Sequence, residues 1–142
     1  MVSENLAVMI KENADELTKR LCKDLLNREE TKSYKKLNQD IVYERVYEVY
    51  SKLDNWLNGG KTKSQEMKEY FTDLGKKRCR EGVPLQEEVM TLMLIKRYLW
   101  LFVLEKNFFD SSYALNNALQ FNNRVVLFFD RIIFYVSKGY EA

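Results

Sequence analysis

The chain has 142 residues and a net charge of +2 from 23 basic and 21 acidic side chains; 46% of its residues are hydrophobic, 31% are charged, and none is histidine. This length fits one domain, residues 1–142, able to bury a core without staples, and the composition is that of a globular chain rather than a disordered one. The near-balance of charge argues against a dedicated nucleic-acid surface, and the lack of histidine excludes an imidazole general base, a His-ligated haem and any His-containing zinc site.

The first predicted helix spans about 3–27, with Ser3 as its candidate N-cap. Leu6, Ile10, Ala14, Leu17, Leu21 and Leu25 recur at helical spacing as one apolar stripe, and Lys11, Glu12, Lys19 and Lys23 face away. Residues 28–38 are polar and read as a connection that Tyr34 and Leu37 pin to the core. The second helix spans about 39–58. Val42, Val46, Val49, Leu53 and Trp56 form its inner row, widened by Tyr43, Tyr47, Tyr50 and Leu57, and Asn58-Gly59-Gly60 ends it.

The third helix spans about 63–81, where Thr62 with Gln65 matches a capping box. Met67, Tyr70, Phe71 and Leu74 line its inner face. Gly75 falls in mid-pattern, at a cost of about 1 kcal/mol relative to Ala, which points to a close approach by another helix. Lys76, Lys77, Arg78 and Arg80 read as a solvated last turn favoured by the helix dipole, and Gly82 stops the helix. Pro84 suits the first turn of the fourth helix, about 84–106. That helix is apolar nearly all round, as expected of one buried from several sides. Its adjacent Glu87 and Glu88 diverge and form no carboxylate dyad. The fifth helix starts at Asp110 or Ser111 and spans about 111–138. No segment alternates with period two between turn signals, so the expected fold is all-α: a bundle of four or five helices.

The most apolar run, residues 98–104, is far short of the ~20 residues a membrane span needs. Glu4 and Lys11 stand where a secretory signal would need an apolar stretch. Cys22 and Cys79 fall on separate helices without CxxC spacing, which argues against a metal site or a disulfide framework and fits a cytoplasmic setting. There is no phosphate-cradling glycine motif, and the Glu-x-x-His pairs of di-iron bundles cannot form. No catalytic residue, cofactor ligand or metal ligand is therefore assigned.

Two sets of positions are candidates for function. On a 100° wheel, Leu115, Ala118, Leu119, Val125, Val126, Phe129, Ile132, Ile133 and Val136 form the core face of the fifth helix. Phe121, Phe128 and Tyr135 make a second row spaced by seven, and Leu127 and Phe134 lie on the far, polar side. The extra apolar rows predict a homodimer interface; the plainer account is that the chain's own loops or fourth helix cover them. Lys96, beside Trp100 on the fourth helix, and Asn122 on the fifth fall within apolar stripes and are candidates for a small-molecule ligand pocket. Against that, a lysine can run its stem along apolar surface, and a buried amide is often satisfied by backbone or water.

One stretch carries a family resemblance. Leu74-Gly75 is followed by the basic Lys76, then Arg78, Cys79 and Gly82; Val83-Pro84-Leu85 starts a helix, and Lys96-Arg97 precedes Leu99-Trp100. Over the stretch from Tyr70 to Lys106 that contains them, the chain resembles the N-terminal sensor domain of RsbT co-antagonist proteins of the RsbRD type, a domain that also precedes some bacterial histidine kinases. The resemblance implies an all-helical, dimeric, cytoplasmic input domain of stress-response signalling, non-catalytic, with a haem-free globin-like arrangement as the variant of the four- or five-helix bundle, whose C-terminal helix relays a signal to an output domain or partner signalling protein. It carries over no ligand residues. The alternative is a ligand-free scaffold or partner-binding bundle.

Overall fold

The computed structural model describes residues 2–58, 61–106 and 111–142; the side chains of residues 2–5, 61 and 62 lie outside that description, as does the backbone of Asp110. The described residues form α1 (Val2–Glu12), α2 (Ala14–Asn27), a 3-10 helix (Glu29–Lys36), α3 (Gln39–Leu57), α4 (Lys61–Arg80), α5 (Leu85–Lys106) and α6 (Ser112–Glu141), with no strand among them. The protein is an all-α bundle.

The expected first helix is two. Asn13 leaves helical geometry (φ −110°, ψ 17°), and its side-chain Nδ2 donates to the Met9 carbonyl at 2.8 Å. An asparagine side chain that bonds local backbone competes with the helix ladder. The apolar stripe runs through the bend unbroken: Leu6, Ile10, Ala14, Leu17, Leu21 and Leu25 are all buried. Ser3 is inside α1, which is helical from Val2, so it is not the cap. The polar connection is ordered as the 3-10 helix. Its Thr31 hydroxyl donates to the Leu25 carbonyl at 2.9 Å, and Tyr34 is buried as expected.

The helix ends follow local chemistry. Asn38 caps α3 by accepting from the Asp40 amide at 2.8 Å, and Ser111 caps α6 by accepting from the Ala114 amide at 3.1 Å. Gly82 takes φ +82°. Its amide donates to Cys79 O at 3.0 Å and that of Val83 to Arg78 O at 3.1 Å, the paired bonds that close a helix on a left-handed residue. The Thr62 side chain, half of the expected capping box, lies outside the described residues.

Neighbouring long helices alternate in direction. Arg45 of α3 pairs with Glu81 just past α4, while Trp56 near the other end of α3 packs on Tyr70 and Phe71. The Tyr140 hydroxyl at the end of α6 donates to the Val83 carbonyl before α5 at 2.9 Å. α4 and α6 therefore run parallel, and their pairing is the most extensive in the molecule. Gly75 and Gly139 make it possible. A Cβ at Gly75 would lie 2.1 Å from the Val136 carbonyl oxygen, and one at Gly139 would lie 2.2 Å from that of Thr72. Backbone meets backbone here, so no side chain can rotate away to make room.

The phase of α6 differs from the wheel in one respect. Phe121 and Phe128, expected in the interface row, are instead buried in the chain's own core. Phe128 stands edge-on to Phe71 and Phe129. Leu115 and Leu119, expected in the core, are about half exposed. The buried face is turned toward α4, because the glycine crossing sets the rotation of α6. The helix also runs to Glu141, about one turn beyond the expected end.

Replacing Gly75 with Ala improves intrinsic helix propensity by about 1 kcal/mol but inserts a methyl that nothing can accommodate. Gly75→Ala and Gly139→Ala are each expected to lose about 3 kcal/mol in urea unfolding. The double variant should lose less than the sum, since both force the same separation. Unchanged midpoints would contradict this crossing.

Candidate functional site

A cavity of about 320 Å³ opens between α3, α4, α5 and the 3-10 helix, at the lower end of the roughly 300–1,000 Å³ usual for ligand pockets. Its apolar wall comes from Val46 and Val49 of α3, Phe71 and Leu74 of α4, and Leu92 and Ile95 of α5. Its polar wall comes from Arg45, Arg78, Glu48, Glu81 and Glu88, with the phenols of Tyr34 and Tyr70.

The polar wall is built by helix ends. The last turn of α4 presents Arg78 inward, 7% exposed, while Lys77, Arg80 and Cys79 on the same turn face out. The solvated basic turn expected from the sequence thus holds one buried guanidinium. The first turn of α5 presents Glu87 and Glu88, 4% and 3% exposed. The Ser33 amide donates to Glu87 at 2.8 Å and its hydroxyl at 3.1 Å, and the Tyr34 hydroxyl donates to Glu88. Two adjacent carboxylates therefore clamp the 3-10 helix to α5. This structural role is not legible in the local pattern of two adjacent acids.

Charge in the cavity is unevenly satisfied. Burial pushes the Glu88 carboxyl above its ordinary value; Tyr34, Arg78 and Arg45 oppose the rise and Glu81 adds to it. Burial, then the charge of Glu88, pushes the Tyr34 phenol well up. For Glu48, burial is outweighed by hydrogen bonds from Tyr70 and Lys52, so its carboxyl sits below its ordinary value. Glu81 receives Arg45, and Arg78 at 3.5 Å. Each acid thus has a donor. The guanidinium groups do not match them: Nη1 of Arg45 is buried with no hydrogen-bond partner.

A smaller cavity of about 140 Å³ lies between α3, α4 and α6, beside Trp56, Lys63, Met67, Arg124 and Phe128. Two of its cations are engaged: Lys63 pairs with Glu66 at 3.2 Å, and Arg124 donates to the Leu57 carbonyl.

Lys96, Trp100 and Asn122 are each half-buried on α5 and α6, and none of them lines the charged cavity. Of the expected interface residues, Leu127 and Phe134 are 50% and 59% exposed, and Tyr135 is half-buried with its ring against Phe134. Both cysteines are free, Cys22 half-buried and Cys79 exposed. Among the described residues, no three or more His, Cys, Asp or Glu side chains are grouped to hold a metal ion, and no helix is long and apolar enough to cross a membrane. Comparison with protein-family models, with curated proteins and with solved structures finds no match.

The Glu88 carboxyl is raised on folding, so folding favours its protonated form. Its contribution is fully present below about 4.5, its ordinary value, and is lost as pH rises through the folded value. Glu88→Gln should therefore gain stability on the parent as pH rises above that point, read as the difference in urea midpoints between pH 4 and 8. A difference that does not move with pH would contradict this. Tyr34→Phe, which strips the buried carboxyl of its donor, should cost about 1–3 kcal/mol.

Proposed function

We propose that this chain is a non-catalytic input domain of bacterial signalling, in which the state of the charged cavity is passed through α4 to the end of α6. One observation carries the reading. Leu74, Lys77 and Arg78 line the cavity on the same turns of α4 that Gly75 locks, backbone to backbone, onto Val136 and Gly139 of α6. A ligand that shifts this part of α4 must shift the last turns of α6 with it, because the crossing has no slack.

The stretch that resembles the RsbRD-type sensor domain supplies part of the cavity lining, Leu74, Arg78, Glu88 and Leu92 among it, and one of the two glycines of the crossing, Gly75. The resemblance supports a cytoplasmic setting, a role in stress-response or histidine-kinase signalling, and an output domain or partner signalling protein beyond α6. It also supports a homodimer. With Phe121 and Phe128 committed to the core, the seam is assigned to Leu127 and Phe134, joined by the exposed Leu119 on the same side of α6.

The second reading, a partner-binding scaffold without ligand, is favoured by a different surface. Met93, Leu101 and Leu104 of α5 are each more than 40% exposed.

Native mass spectrometry at micromolar concentration is the direct test of the dimer. The expected result is a two-chain mass that falls to one chain in Leu127→Glu/Phe134→Glu, with helical content unchanged. A one-chain mass for the unaltered protein would sink the dimeric relay and favour the scaffold.

A further inference from the structure

A buried guanidinium normally finds acceptors for its donors, because an unpaired buried charge is expensive. An arginine side chain carries five N–H donors in a rigid fork. Arg78 is 7% exposed, yet among the described residues its one ion-pair contact is the marginal 3.5 Å approach to Glu81. Arg45 uses Nη2 on the same carboxylate and leaves Nη1 buried without an acceptor. Two guanidinium groups thus share one carboxylate in the lining of the cavity.

The other acids on the wall do not relieve this. Glu48 is taken by the Tyr70 hydroxyl and by Lys52 at 2.9 Å, and Glu88 by the Tyr34 hydroxyl. The third cation, Lys77, is paired outside with Asp73 at 3.2 Å. Among the described residues lining the cavity, the buried polar side-chain atom left without a partner is a donor, Nη1 of Arg45. Part of the same wall, Phe71, Leu74, Leu92 and Ile95, is apolar. A bare inorganic anion would leave that wall against water, whereas an amphiphilic acid would cover it.

We propose that this cavity binds a small organic monocarboxylate with an apolar body, its carboxylate held by Arg78 and Arg45 and its body against Phe71, Leu74 and Leu92. This rests on the sensor reading above and names the class of molecule sensed. The fork geometry of arginine suits a carboxylate in two-point contact.

The test is calorimetric titration of the full chain with sodium octanoate, against octan-1-ol as the uncharged analogue and inorganic phosphate as the bare anion. Octanoate should bind at least tenfold more tightly than either, and it should shift the side-chain N–H resonances of Arg78 and Arg45 in an arginine-labelled sample. Arg78→Met should weaken octanoate at least tenfold; should that variant fail to fold, Arg45→Met at the cavity edge is expected to show a smaller loss in the same direction. Equal binding of octanol, binding of phosphate alone, no binding of octanoate, or arginine resonances that stay still would each overturn the proposal. The two readings fail separately. Octanoate bound at Arg78 in a protein of one-chain mass would keep the ligand class and sink the dimeric relay. A two-chain mass with no octanoate binding would sink the ligand class alone.

Discussion

The crossing of α4 and α6 at Gly75 and Gly139 is the constraint on which the rest of the bundle depends. Each glycine faces a carbonyl oxygen of the other helix closer than any Cβ could stand. At that approach the two axes cannot slide or turn independently. The crossing sets the rotation of α6, and that rotation buries Phe121, Phe128, Phe129 and Ile132 while leaving Leu119, Leu127 and Phe134 outside. It also holds the last turn of α4, from which Arg78 points inward. Packing, exposed surface and cavity all follow from one backbone contact.

A second fixed point lies across the cavity. Glu87 and Glu88 start α5 and reach back to Ser33 and Tyr34. A buried hydrogen-bonded carboxylate pair contributes less to net stability than to geometry, because much of the hydrogen-bond energy offsets desolvation. Here the geometry is the register of the 3-10 helix against α5, which closes one side of the cavity. Tyr50 adds a further tie, donating to the Ile95 carbonyl at 2.8 Å from inside the core. The cavity is thus open between elements that are each held by polar contacts of fixed direction, and one donor on its wall, Nη1 of Arg45, is buried without an acceptor.

Much of this is legible in the chain. Gly82 and Pro84 mark the turn between α4 and α5 because each suits only a few backbone conformations, and Gly75 in mid-helix signals a close neighbour. The stripe from Leu6 to Leu25 reads as one buried face and is one, although Asn13 bends its helix. The site is harder to read. Arg78 and Glu88 sit in runs of like charge, Lys76-Lys77-Arg78 and Glu87-Glu88, which at helix ends have the same appearance when solvated. Only the third dimension separates the inward member from its neighbours. Gly139 lies so near the end of the apolar pattern that it reads as a tail. The long α6 carries apolar residues on three sides, so periodicity alone leaves its phase open, and Leu115 and Leu119 were as eligible for the core as Phe121 and Phe128. What decided between them was a backbone contact between helices far apart in sequence, which no local pattern encodes.

The central claim is that α4 and α6 behave as one rigid unit linking the cavity to the end of α6. Native-state hydrogen exchange in low urea tests it most directly, by comparing the opening energies of amides at residues 74–79 of α4 with those at residues 132–139 of α6. The account predicts that the two sets open together, with the same energy and the same dependence on urea. Opening of the α6 amides at markedly lower energy, while those of α4 stay protected, would show that the end of α6 frays alone and cannot report what happens in the cavity.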